Sequence, residues 1–288
     1  MTERHFYITQ VNFFKAFKYI IYLLLTTNIF LFLHEEFNAS IVRFSEGIDL
    51  LAIYQVFPQT IDTLAWVVLL ILFELETFVF EDHTLRKLRL WTIHGIRFVC
   101  YTIILIAFWG YVSVLEWLIL YSPSELITAC NAIGQQLLID ELNNYISLTA
   151  ENCSAYSQTS FLVHPSDSSL IQQSNFDEFL MLAWVDIINS ATWILVCLVL
   201  EIDVYLQLKH NINPTLQITS RVVKACLYGI LFLAALYWGY TGSLLDFWDA
   251  FLWLIAFFLI ELNLFDWQAE VEEAHDRTSI DMGVEILN

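Results

Sequence analysis

Six apolar runs, each close in length to the hydrocarbon layer of a bilayer, restrict this chain more than any other feature. They fall at residues 17–33, 63–80, 98–121, 180–200, 222–240 and 247–265. A helix rises about 1.5 Å per residue, so roughly 20 apolar residues cross a ~30 Å core. In that form every backbone polar group is bonded within the helix. Hydrophobic residues make up 58% of the chain and charged residues only 15%, which no ordinary soluble domain approaches.

Inside alternate runs one pattern recurs: Asp or Asn, Trp one helical turn on, then Glu, and a second polar residue shortly after it. The copies are Asp62, Trp66, Glu74 and Glu76; Asn189, Trp193, Glu201 and Asp203; and Asp249, Trp253, Glu261 and Asn263. The intervening runs repeat as well. Lys18 and Tyr22, Arg97 and Tyr101, and Lys224 and Tyr228 occupy matching positions at one end. Glu36-Phe37, Glu116-Trp117 and Asp246-Phe247 mark the other. Self-similarity of this kind points to a duplicated unit.

The expected fold is an all-α integral membrane protein, its six transmembrane helices arranged as three repeated helical hairpins, N-in and C-in, with a small external loop and helix cap. Residues 1–59 form the first up-helix and an outer amphipathic segment. Residues 60–121 form the second and third spans with a basic inner loop. The cap occupies 122–179, spans four to six occupy 180–265, and 266–288 form an acidic cytoplasmic tail.

Basic residues set the expected orientation. They cluster at Arg4, Lys15 and Lys18, at Arg86, Lys87, Arg89 and Arg97, at Lys209, Arg221 and Lys224, and at Arg277, with only Arg43 on the other side. The positive-inside rule then places both termini in the cytoplasm; the expected location is a plasma (inner) membrane. Lys15 and Lys18 before the first run resemble the start of a signal peptide. No small-residue cleavage site follows, so the segment is expected to be retained. The net charge of −19 argues against nucleic acid and anionic lipid as partners. Expected partners are the lipid bilayer itself and other membrane subunits or further copies of the chain.

In the outer loop, Ser122, Pro123 and Glu125 have the form of a helix start. Leu126, Cys130, Ile133, Leu137, Leu142 and Ile146 then recur near helical spacing and predict an amphipathic helix. The Ser- and Gln-rich stretch beyond Cys153 reads as loop, and the whole cap reads as too small for a core of its own. Cys130 and Cys153 share this loop, on a face where oxidation is permitted, and are the candidate disulfide. The apolar segment before Pro58 reads as lying along the membrane surface or packing over the bundle. Gly110 and Gly239, each in a Trp-Gly-Tyr triplet, read as points of close helix contact.

At roughly 100° per residue, the first polar residue, the Trp and the last polar residue of each copy lie within about 80° of one another. Glu74, Glu201 and Glu261 lie roughly 120° round from the start of that stripe. A carboxylate near a membrane interior costs a few kcal/mol unless paired, hydrated or neutral. Two arrangements remove the cost. The acids can line an aqueous path that favours cations. Alternatively, each can pair with a basic anchor: Glu74 with Lys18 or Arg97, Glu201 with Arg97 or Lys224, Glu261 with Lys224. A Trp inside a span is more often packing than a ligand site.

No catalytic motif, phosphate-binding loop or paired-His arrangement is present, and no cofactor is implied. Glu81, Asp82, His83 and His94 match no standard metal-ligand spacing. The expected function is transport, by a channel or carrier with a cation-preferring path between the hairpins. The inner mouth would carry Glu74, Glu201 and Glu261, and the outer mouth Asp62 and Asp249. The alternative is a non-catalytic assembly subunit of a membrane complex.

Overall fold

The computed structural model describes residues 2–43, 53–79, 86–124, 128–134, 137–141, 144–156, 160–166, 169–208, 214–241 and 243–259. These residues are mostly helical: α1 (Thr2–Arg43), α2 (Ile53–Val56), α3 (Pro58–Val79), α4 (Arg86–Ile119), α5 (Gln173–Leu208) and α6 (Pro214–Thr241). A further helix, α7, covers residues 244–259. Among the described residues five helices are long and apolar enough to cross a membrane. The sixth expected span is helical as far as residue 259, and its remainder lies outside the described residues. Large apolar side chains such as Phe98, Trp109 and Leu233 are exposed along these helices, as lipid-facing positions require.

Helix α1 runs on through Arg43, well past the apolar run that seeds it. Helix α2 stops at Val56, just before Pro58, and Pro58 itself opens α3, where its fixed φ and missing N–H fit the first helical position. The other exposed donors of that helix end are met from α1. One Glu36 oxygen accepts the Gln59 N–H at 2.7 Å, and the other accepts the Thr60 N–H at 3.2 Å and the Thr60 hydroxyl at 2.6 Å. A carboxylate there matches both the free N–H groups and the positive end of the helix dipole.

The cap differs from its expectation. It is a five-stranded sheet of β1 (Ser122–Pro123), β2 (Leu137–Glu141), β3 (Asn144–Ser147), β4 (Phe161–Val163) and β5 (Leu170–Gln172). The order is β1-β4-β5-β2-β3, with β2 and β5 parallel and the other pairs antiparallel. Ser122 and Pro123 form an edge strand rather than a helix start, and among the described residues of the stretch expected to be amphipathic helix only the short 3-10 helix Ala129–Ala132 is helical. Leu126 and Leu142 lie outside the described residues.

Alternation explains the sheet. Ile139, Leu162 and Ile171 face Leu115, Leu118, Tyr121, Phe179 and Ala183, at the ends of α4 and α5. Their neighbours Leu138, Phe161 and Leu170 face the opposite way, onto Ala129, Ala132, Leu148 and Cys153. The sheet is therefore covered on both sides, and the cap does possess a core of its own. Cys130 and Cys153 are bonded, with Cα atoms 4.9 Å apart, and tie the 3-10 helix Ala129–Ala132 to a second one, Cys153–Tyr156, in the outer layer.

The chain divides into two compact units, Met1–Leu25 with Leu231–Asn288, and Thr26–Ile230. In the first, Gly239 sits under the Phe247 ring: an added Cβ would lie 3.1 Å from Phe247 Cδ2, so the close contact expected of this glycine is present. Gly110, in the second unit, has no such contact among the described residues. Helix α7 opens with Ser243, whose hydroxyl donates to the Asp246 carboxylate and whose carbonyl accepts the Phe247 N–H.

Candidate functional site

In the second unit the polar–Trp stripes of α3 and α5 meet. The rings of Trp66 and Trp193 lie 6.2 Å apart between centroids and are inclined by 57°. Both residues are buried, and Trp253, in the other unit, is buried too, with its ring 6.2 Å from Phe257. The Trp side chains are thus packed against protein.

The register of α3 against α5 follows from a third helix. The Arg97 guanidinium of α4 lies 4.9 Å from the Phe73 ring centroid on α3 and 3.5 Å from Glu201 on α5. Phe73 and Glu201 follow the touching Trp66 and Trp193 by nearly the same number of residues. Helices α3 and α5 therefore run parallel at one level, with α4 antiparallel to both. Asp62 and Asn189 each precede the touching Trp by one turn on the same stripe. Both therefore stand at one level, about 6 Å nearer the cap than the Trp contact.

Oδ1 of Asp62 and Oδ1 of Asn189 are both buried, and among the described residues the Asn189 oxygen has no hydrogen-bond partner. Thr63 and Ser190, next in sequence to these two, are also buried. The two helices thus carry a polar layer just above the Trp contact. Asp186 belongs to the same α5 stripe, one further turn toward the cap, and is half-buried. It lies outside the repeated pattern, which is why spacing did not single it out. The signal for it was simply an acid inside an apolar run.

At the opposite end of the bundle the acids are engaged by basic side chains. Glu201 Oε1 lies 3.5 Å from Arg97 and accepts a hydrogen bond from the Tyr101 hydroxyl at 2.9 Å. Asp203 lies 3.2 Å from Lys224 and accepts the Ser220 hydroxyl at 2.6 Å. The expected pairing of Glu201 with Arg97 is present. Lys224 takes Asp203, one residue pair further along α5. Glu74 is half-buried on α3, and Asp249 is half-buried on α7. Of the remaining candidates, the Glu76 side chain, Glu261 and Asn263 lie outside the described residues, as do Glu81, Asp82 and His83. Among the described residues no group of three or more His, Cys, Asp and Glu side chains is placed to hold a metal ion.

The junction between cap and helices is aromatic. His164 is buried, with its ring centroid 5.1 Å from both Trp117 and Tyr121. The Tyr121 hydroxyl is 2.5 Å from the Ser169 hydroxyl, and His164 Nδ1 is 3.0 Å from that of Ser166. The hairpin between β4 and β5 is thereby fixed to the end of α4.

Comparison with protein-family models, with curated proteins and with solved structures gives no match.

Proposed function

We propose that the chain is an integral membrane transport protein whose path runs between α3 and α5 and is held closed by Trp66 against Trp193. The observation that carries this reading is the Trp66–Trp193 contact between two helices that each hold a buried polar oxygen, of Asp62 and of Asn189, one turn nearer the cap. An apolar residue at position 189 would avoid a cost of about 1–3 kcal/mol for an unbonded buried oxygen, so the polar layer calls for a role beyond packing. A closed Trp pair fits a carrier or gated channel better than an open pore. Arg97 and Lys224 take Glu201 and Asp203 as structural partners, so the selectivity assigned to an acidic inner mouth shifts to Asp62 and Asn189. The Cys130–Cys153 bond and the basic residues at the far end support a cap facing outside, with both termini cytoplasmic and the chain in a plasma (inner) membrane.

The test is cysteine accessibility. Cys100, Cys197 and Cys226, the free cysteines, are replaced, and the Cys130–Cys153 bond is kept. Trp66→Cys and Trp193→Cys variants are then treated in membranes with impermeant thiol reagents from either side. Labelling that varies with added solutes supports a path opening at the Trp pair. Complete protection under every condition, with no flux in proteoliposomes, overturns it.

The ion pairs favour a second reading, an assembly subunit of a membrane complex. Both acids that the described part of α5 places near its end serve to join α4, α5 and α6. That reading gains if the protein purifies only with a partner subunit.

A further inference from the structure

His164 follows directly on β4, is only 2% exposed, and joins the cap to the end of α4. The Trp117 and Tyr121 ring centroids are 5.0 Å apart, and each is 5.1 Å from that of His164. The Ser166 N–H donates to His164 Nδ1 at 3.4 Å, and the Ser166 hydroxyl lies 3.0 Å from the same nitrogen. A backbone N–H can only donate, so Nδ1 is an acceptor here and the ring proton sits on Nε2. A proton added at Nδ1 undoes this arrangement. The nitrogen becomes a donor pointed at the Ser166 N–H, and a charged ring is left in a site closed to water. Two aromatic faces attract a cation, but they return less than the hydration it has lost. Outside the site the charge is better placed, because residues 122–179 contain several acids and neither Lys nor Arg.

We propose that His164 is a pH-sensitive latch between the cap and the membrane helices. Neutral, it holds the β4–β5 hairpin on Trp117 and Tyr121; protonated, it releases the hairpin from the end of α4. Few other groups bear on it. On α4 they are the Tyr121 phenol, bonded to Ser169, and Glu116, which is exposed. At the start of α5 they are Asp177 and Glu178, also exposed, while β1, β4 and β5 carry no charged residue. Asp167 lies outside the described residues. The junction is therefore firm at neutral pH and weakens as the pH falls. Since Ile139, Leu162 and Ile171 rest on the ends of α4 and α5, release of the hairpin loosens the cover over both helices. Such a latch senses acidity on the cap side of the membrane, whether or not a path runs between α3 and α5.

The experiment uses the full-length, disulfide-intact protein in lipid nanodiscs. Hydrogen exchange is followed by mass spectrometry at about pH 7.5 and about pH 5.5, an interval across which His changes charge. Rates are corrected for the intrinsic pH dependence of amide exchange. In acid, corrected exchange at β4, β5 and the last turn of α4 should rise at least about tenfold, while the middle of α5 stays unchanged. His164→Phe keeps a ring beside Trp117 and Tyr121 but takes up no proton, so its exchange there should be the same at both pH values. His164→Asn offers the Ser166 N–H a carbonyl acceptor, does not titrate, and should be equally flat. If one variant fails to fold, the other decides. The absence of a local rise in the wild type overturns the latch. An equal rise in a folded variant does so too, because another group would then be the sensor. A rise that includes the middle of α5 also overturns it, because acid would then be unfolding the protein as a whole.

Discussion

Arg97 on α4 and Glu201 on α5 lie 3.5 Å apart, and the Glu201 oxygen that faces Arg97 also accepts the Tyr101 hydroxyl. One turn of α4 thus supplies two donors to a single carboxylate, while the Arg97 guanidinium also covers the Phe73 ring. Because Phe73 belongs to α3, this one side chain sets the register of three helices. The alignment of Asp62 with Asn189 is a consequence of it.

Removing one partner should therefore cost more than removing both. With 13% and 38% of the two side chains accessible, the pair is shielded but not sealed. Arg97→Leu is expected to destabilise the protein by about 2–3 kcal/mol, because it leaves a carboxylate near the membrane interior without its counter-charge. Arg97→Leu combined with Glu201→Leu should recover at least half of that loss. A double-mutant cycle on thermal unfolding in detergent measures the coupling, and additive losses would contradict it.

Glu36 makes a similar prediction at the start of α3. Its carboxylate accepts two backbone N–H groups and a hydroxyl, and charged hydrogen bonds are worth roughly 1.5–3 kcal/mol each at best. Glu36→Ala should cost about 2–3 kcal/mol, while Glu36→Gln, which keeps an acceptor oxygen, should cost about half as much. Hydrogen exchange should rise first at the opening turn of α3. Uniform exchange along the chain would count against a local capping role.

The contrast between what the sequence predicts and what the cap does has a physical cause. The spans were legible because a run of apolar residues has one meaning in a bilayer. The pairing of Glu201 with Arg97 was legible because the repeat places both at one end. The cap strands were not legible, since Leu138-Ile139, Phe161-Leu162 and Leu170-Ile171 are apolar on both faces. Strands buried on both sides lose the period-2 signal, and short apolar runs then fit helical spacing by accident. Glu36 was visible as part of the repeat, yet nothing in its spacing revealed that it meets the start of α3. Asp186 carries no signal in the spacing, because it belongs to no repeat.

The disulfide gives a prediction confined to the cap. The bond closes a loop between residues 23 apart, for which chain entropy gives about 3 kcal/mol. Cys130→Ser with Cys153→Ser should loosen the outer layer formed by the two 3-10 helices. The inner face of the sheet, held by Ile139, Leu162 and Ile171 against α4 and α5, should persist. Limited proteolysis should then cut within residues 124–160 while the helices survive intact. Melting of the helices together with the cap would show that the two are one cooperative unit.

The last prediction concerns Trp66 and Trp193 themselves. An aromatic pair contributes about 0.5–1.5 kcal/mol beyond the burial of its area, so a double-mutant cycle of Trp66→Leu and Trp193→Leu should return coupling of that size. Such coupling alone would fit a packed scaffold as well as a gate. A leak separates the two. If the rings close a path, Trp66→Ala with Trp193→Ala leaves a gap beside Asp62 and Asn189, and proteoliposomes should lose an imposed sodium gradient several-fold faster than with the wild type. A pure packing role predicts lower stability with no leak, because the surrounding apolar side chains collapse into the space or leave it dry. Measuring gradient decay and melting temperature on the same preparations decides between a gate and a brace.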